Sequence, residues 1–342
     1  MNSILSNGFR PGKYSFALAW IVLLLVFAGC KKGHNGPPLK ITTVASGLVN
    51  PIGLETDKTG NIWVSETGTG NDDAKVVVIR PNGRKYDAII NLSSFVNKTG
   101  EIHGAAHLLL DGDILYVLSG NYLYKANVAK FKAGDSPLDG TNIPFEDIGS
   151  WVLSYPFVNN AHDTHPYNLT KGPGGDLYIA DAGANAILHR ESAGVYSVLA
   201  EVPGIANPTP VGPPQIQSVP TGIYYDGNRF LVTTLLGFPF PAGMARVYNV
   251  STSGNVSIYK QGFTSLVDIA EGNEGGQLVV QYGVFGQMGF APNTGALIWT
   301  NGSNSEQIAG GLNMPIAVEK VKEHTWYVNS MGDGTVLKVT FH

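Results

Sequence analysis

The chain has a single cysteine in 342 residues, so no disulfide can form within it. Charge is scarce: 14% of residues are charged, against about 25% in an ordinary globular chain. Neither sign dominates, with 22 Lys and Arg against 26 Asp and Glu and a net charge of −4. That balance lacks the basic patch that nucleic-acid recognition requires. The longest apolar run, Phe16 to Ala28, is thirteen residues, short of the ~20 that carry a helix across a bilayer. No G-x-S-x-G nucleophile elbow occurs. What is abundant is glycine, at 43, with proline at 20. Such a composition suits short strands joined by many tight turns.

The apolar run follows Arg10 and Lys13 and ends in "VFAGC", with no acidic residue before it. This is a secretory signal in form, and its end resembles the lipobox of bacterial lipoproteins. The resemblance implies cleavage before Cys30 and a diacylglycerol on its thiol. The expected organisation is therefore a signal over 1–29, a lipidated tether over 30–39 and a folded domain over 40–342. "KKGHNGPPL", residues 31–39, offers no apolar pattern to fold around. From Cys30 onward there are 20 basic and 26 acidic residues, a net charge of −6.

Six segments share a turn rich in Gly, Asp or Asn followed by an apolar triplet: "GNIWV", "GDILYV", "GGDLYI", "GNRFLV", "GGQLVV" and "EHTWYV". They end at Val64, Val117, Ile179, Val232, Val280 and Val328, at spacings of 53, 62, 53, 48 and 48. A strand-like stretch precedes each, a third follows, and a fourth completes the first five units. Four antiparallel strands per ~50 residues is the pattern of a propeller blade. The sixth unit ends after three strands, and "ITTVASGLVNP" near residue 41 resembles "EQIAGGLNMP" near 306. The expectation is an all-β fold, a six-bladed β-propeller in which the N-terminal strand closes the last blade and removes the open edge.

"HPYNLTKGPGGDLYIADAGANAIL", "SLVDIAEGNEGGQLVV" and above all "GFPFPAG" followed by "ARVY" resemble the ScyD/ScyE family of secreted propellers. The "LYIADAG" type is shared with NHL-like and gluconolactonase-like propellers. The resemblance covers nearly the whole mature chain. It implies a periplasmic or extracellular six-bladed propeller and carries no catalytic assignment.

In a propeller, the connections into each inner strand and those from second to third strand share one face, the mouth of the channel. Here they include "GTGNDDA", "AHDTH" and "LLGFPFPAGM". Residues 129–150 are expected as an insertion on the opposite face. Loops carry binding more often than scaffolds, so the mouth is the expected site. His165 opens the inner strand of blade three, with Asp163 just before it, and His103 holds the matching place in blade two. These three are candidates to bind a divalent cation or to move protons; the alternative for His162 and His165 is turn hydrogen bonding. His103 and His107 are four apart, about 13 Å on a strand and too far to share an ion.

Glu66, Asp181 and Asn329 end second strands. They either cap turns or supply oxygens to an ion, as in the lactonases of this architecture. The acid those lactonases carry at the start of the first inner strand is absent from "LVNPIGLE". Arg246 and Asp268 interrupt apolar strands, as an ion pair or as part of a site. Phe238 and Phe240 either pack over neighbouring blades or form an aromatic wall. The function expected is a lipid-anchored, monomeric binding module of the cell envelope. It takes a small-molecule, glycan or protein ligand at the mouth and meets the membrane through its lipid. The alternatives are a metal-dependent hydrolase or lactonase, and a redox or biosynthetic enzyme of the pigment type.

Overall fold

Apolar triplets seal both faces of a strand, and the second strands show what that implies. Every residue of Ile62–Glu66 and of Leu177–Asp181 is buried, because each blade is covered by a neighbour on either side. Outer strands are partly exposed instead, as in Lys85–Leu92 and Val256–Phe263. The computed structural model describes residues 38–98 and 100–341. The signal, Cys30 and most of the tether lie outside the described residues.

Six blades follow one another, five of them four-stranded antiparallel sheets and the first a four-stranded antiparallel sheet with an added fifth strand. Their inner strands are Pro51–Thr56, Ala105–Asp111, Pro166–Lys171, Pro220–Tyr225, Leu266–Glu271 and Pro315–Lys322. Lys40–Ala45 pairs antiparallel with Thr335–Thr340, Lys40 facing Thr340 and Ile41 facing Val339. The N-terminal strand thus completes the sixth blade. Apolar side chains then bridge the seam: Val64 and Val77 of blade one cluster with Ala45, Ala317 and Val336 of blade six. Each buried valine among them contributes roughly 1.5–3 kcal/mol.

All six inner strands carry a register shift against the second strand at the same level, for example between Pro51 and Leu54 and between Leu266 and Asp268. A bulge frees backbone groups that must then find side-chain partners. Ser65 Oγ accepts from the Gly53 amide at 2.7 Å and Thr233 Oγ1 from the Gly222 amide at 2.8 Å. Asp268 Oδ2 accepts from the Val318 amide at 2.8 Å. A Cβ on Gly53 would stand 2.7 Å from Ala106 O and His107 Cα, so glycine lets blades one and two meet at the channel.

The insertion in blade two is shorter than its sequence suggests. The third strand ends at Asn127 and the fourth, Phe145–Asp147, starts before residue 150. The helix Ile148–Ser154, capped by the Asp147 carboxylate, belongs to the next connection. Within the insertion, Leu138–Asp139 pairs in parallel with Ile89–Ile90, adding a fifth strand to blade one.

Candidate functional site

His103 and His165 meet at the channel mouth. Their rings stack with centroids 4.0 Å apart and planes 19° from parallel. Asn97 Nδ2 lies 3.0 Å from His103 Nε2, a donor that makes Nε2 the acceptor and leaves the proton on Nδ1. Burial lowers the pKa of both imidazoles, that of His165 to about 3, with the neighbouring His103 adding to the effect. Asp163 and Glu101 oppose the shift at His103. The pair is therefore neutral at pH 7, and stacked planes do not aim their nitrogens at one point. Asp163 is exposed and bonds the Thr164 amide at 2.9 Å rather than either imidazole. Among the described residues, no group of three or more His, Cys, Asp or Glu is arranged to hold a metal ion.

The recurring acids cap turns. Asp181 is fully buried and accepts from Thr164 Oγ1 at 2.7 Å, the His165 amide at 2.8 Å and the Ala184 amide at 2.9 Å. It thereby fixes the strand start that carries His165. Burial raises its pKa, and these three donors act against that rise. Glu66 accepts from the Val49 amide at 3.0 Å and lies 3.3 Å from Lys75 Nζ. Asn329 donates to the carbonyls of Ile52 and Gly53, each at 3.0 Å, tying blade six to blade one.

Phe238 and Phe240 combine both expected roles. Phe240 packs on Phe285 and Phe290 of blade five, at centroid distances of 4.7 and 5.2 Å. Phe238, across a cis bond to Pro239, is 50% exposed. The short hairpin Phe285–Gly286 and Gly289–Phe290 carries the fully exposed Met288 at its tip. Phe290 in turn meets Tyr282 at 4.9 Å. On the opposite wall, Phe95, His103, His165 and Tyr167 make consecutive ring contacts at 5.1, 4.0 and 5.7 Å. Burial, then the charge of Asp268, then Tyr282 push the Tyr167 phenol up. Aromatic rings line the mouth on both sides.

Two sequence candidates sit elsewhere. Arg246 lies half-buried on the third strand of blade four, Ala245–Ser251. Its Nη1 donates to Tyr248 Oη at 3.1 Å, and it forms no ion pair among the described residues. Asp268 lies inside the channel wall, accepting from Asn168 Nδ2 of blade three at 2.8 Å as well as from Val318.

Sequence reasoning missed the acids beside it. Glu55 and Glu319 follow the bulge at the same inner-strand level, on the adjoining blades one and six. Burial and then Asp268 raise the pKa of Glu319 to about 8; burial and then Glu319 raise that of Glu55 well above the carboxylate range. Superposing "PIGLE" on "PIAVE" gives the signal. His107 lies deeper than His103, its ring 5.2 Å from Tyr167. Burial lowers its pKa to about 3.

No family model and no curated protein matches the sequence. Solved structures do share the fold. Virginiamycin B lyase from Staphylococcus aureus is similar at 13% identity over 89% of this chain and 100% of that one, with a TM-score of 0.52. The PQQ-bound aldose sugar dehydrogenase from Streptomyces coelicolor is similar at 16% identity over 89% and 99%, with a TM-score of 0.59. The calcium-binding protein regucalcin from Agrobacterium tumefaciens is similar at 11% identity over 89% and 96%, with a TM-score of 0.55. The chain is a six-bladed β-propeller. At these identities the likeness carries the scaffold alone, and that scaffold serves a lyase, a dehydrogenase and a calcium-binding protein.

Proposed function

We propose that the chain is a binding propeller of ScyD/ScyE type that takes a planar apolar ligand, or an aromatic group of a larger partner, across the channel mouth. The aromatic lining carries this reading. Phe238 and Met288 are exposed above a packed base of Phe240, Phe285 and Phe290, and the facing imidazoles are neutral. A solvated apolar surface of this kind favours ligand burial. The metal-dependent hydrolase reading has less support, because Glu66 and Asp181 are committed to backbone amides.

The neutral fluorophore N-phenyl-1-naphthylamine tests the mouth. The wild type is expected to bind it, and Phe238→Ala to weaken binding about fivefold to tenfold, the loss of one aromatic contact. An unchanged affinity in that variant would remove the mouth from consideration.

Lipidation of Cys30 belongs to the same proposal. The described chain enters the fold through Lys40, at the end of its strand away from the mouth. Cys30→Ser is expected to move the protein from the membrane fraction to the soluble fraction. A variant that stays membrane-bound would overturn the lipid anchor.

A further inference from the structure

The face opposite the mouth is built from short turns, except where the insertion between the third and fourth strands of blade two crosses to blade one. This crossing is fixed at several points. Arg80 Nη2 donates to Ala133 O, Leu138–Asp139 joins the outer edge of blade one, and Ala133 and Ile143 are buried in the core shared by blades one and two. At Gly140 the approach is so close that a Cβ would stand 2.7 Å from Asn91 O and 2.9 Å from Ile90 O. Between this roof and the lower turns lies a cavity of about 560 Å³, within the range that holds small ligands.

Its walls and its rim differ in chemistry. Trp63, Leu110, Val128 and Phe131 supply apolar surface, with Trp63 and Phe131 in ring contact at 5.8 Å. Three cations, Lys58, Arg80 and Lys132, face two carboxylates, Asp57 and Asp113. Asp57 is saturated from within: it accepts from Thr59, from Asn61 and, at 3.1 Å, from Trp63 Nε1. These bonds outweigh burial and hold its pKa below the usual value. Asp113 is exposed at the rim. Lys58 and Lys132 are exposed and form no ion pair among the described residues. A chain with net charge −4 therefore carries a locally positive pocket with an apolar floor.

We infer that this cavity is a second ligand site, for a small organic anion in which a carboxylate, sulfonate or phosphate is joined to an apolar ring body. The ring would lie against Phe131 and Leu110 while the anionic group meets Lys58 and Lys132. The site is independent of the mouth.

The test uses 8-anilinonaphthalene-1-sulfonate and the full mature chain, followed by dye fluorescence. Wild type is expected to bind the dye, more weakly as salt rises, since an exposed rim charge is screened. Lys58→Glu combined with Lys132→Glu changes only exposed side chains and is expected to weaken binding about tenfold. Phe238→Ala, at the mouth, is expected to leave it unchanged. Dye binding that persists in the charge-reversed variant, or that disappears with Phe238→Ala, overturns the proposal. Loss of the dye with Phe238→Ala would place it at the mouth instead; the neutral fluorophore reads the mouth by itself, so the two sites fail or stand separately.

Discussion

Asp181→Ala is expected to lower stability by about 3–5 kcal/mol, because it takes the acceptor from three buried donors. The carboxylate is fully buried and holds three donors, Thr164 Oγ1 and the amides of His165 and Ala184. Alanine leaves all three without an acceptor, at about 1–3 kcal/mol for each buried group. Removing a desolvated charge offsets part of that loss. Asp181→Asn keeps the shape and most of the bonds and is expected to cost about 1–2 kcal/mol.

Equilibrium denaturation gives both values. A shift below about 1 kcal/mol for alanine would show that the turn holds without its cap. A second readout separates local from global effects. Asp181 fixes the amide of His165, whose imidazole stacks on His103 with a pKa lowered to about 3. Loosening that turn hydrates the ring, so in the surviving folded variant the His165 pKa should climb toward the ordinary ~6.5, as followed by NMR titration.

Much of this fold is legible in the residues themselves. The second strands announce themselves because a strand sealed on both faces must be apolar throughout, and six of them at near-constant spacing define a propeller. The closing strand was legible for the same reason, as a fourth strand missing from one end of the chain and present at the other. The repeat alignment also placed His103 and His165 at equivalent loops of adjacent blades, hence near each other.

It gave no ring orientation, and orientation separates a stacked neutral pair from converging ligands. The two-residue parallel pairing of Leu138–Asp139 with blade one has no sequence signature, because it rests on backbone bonds and on one close approach at Gly140. Asp268 and Asn168 were unreadable in role. Their partners lie 50 and 100 positions away, and the bulge that creates the need for them is invisible in the residues themselves.

The protein is expected to lose on the order of 3 kcal/mol of stability between pH 6.5 and 8.5, and to change less below that range. The acids set the fall. Burial pushes Asp268 up to about 7, burial and then Asp268 push Glu319 up to about 8, and Glu55 is raised as well, against about 4 when unfolded. Groups with raised folded pKa values hold protons that the unfolded chain gives up. Their contribution is complete below pH 4 and disappears as pH climbs through 7 to 8.

The buried histidines have the opposite sign. With folded pKa values of about 3 for His107 and His165, they contribute above the unfolded ~6.5 and lose that contribution as pH falls below it. Between pH 4 and 6.5 the two sets oppose each other; above 6.5 the histidines no longer change and the acids act alone. Glu319→Gln removes one ionisation from the channel and its repulsion on Glu55 and Asp268. It is expected to flatten the alkaline fall and to exceed wild type in stability at pH 8.5. Denaturant midpoints for both proteins at pH 6.5 and 8.5 decide the matter: a wild type equally stable at the two values would mean that these carboxylates are ionised in the fold and solvated through the channel.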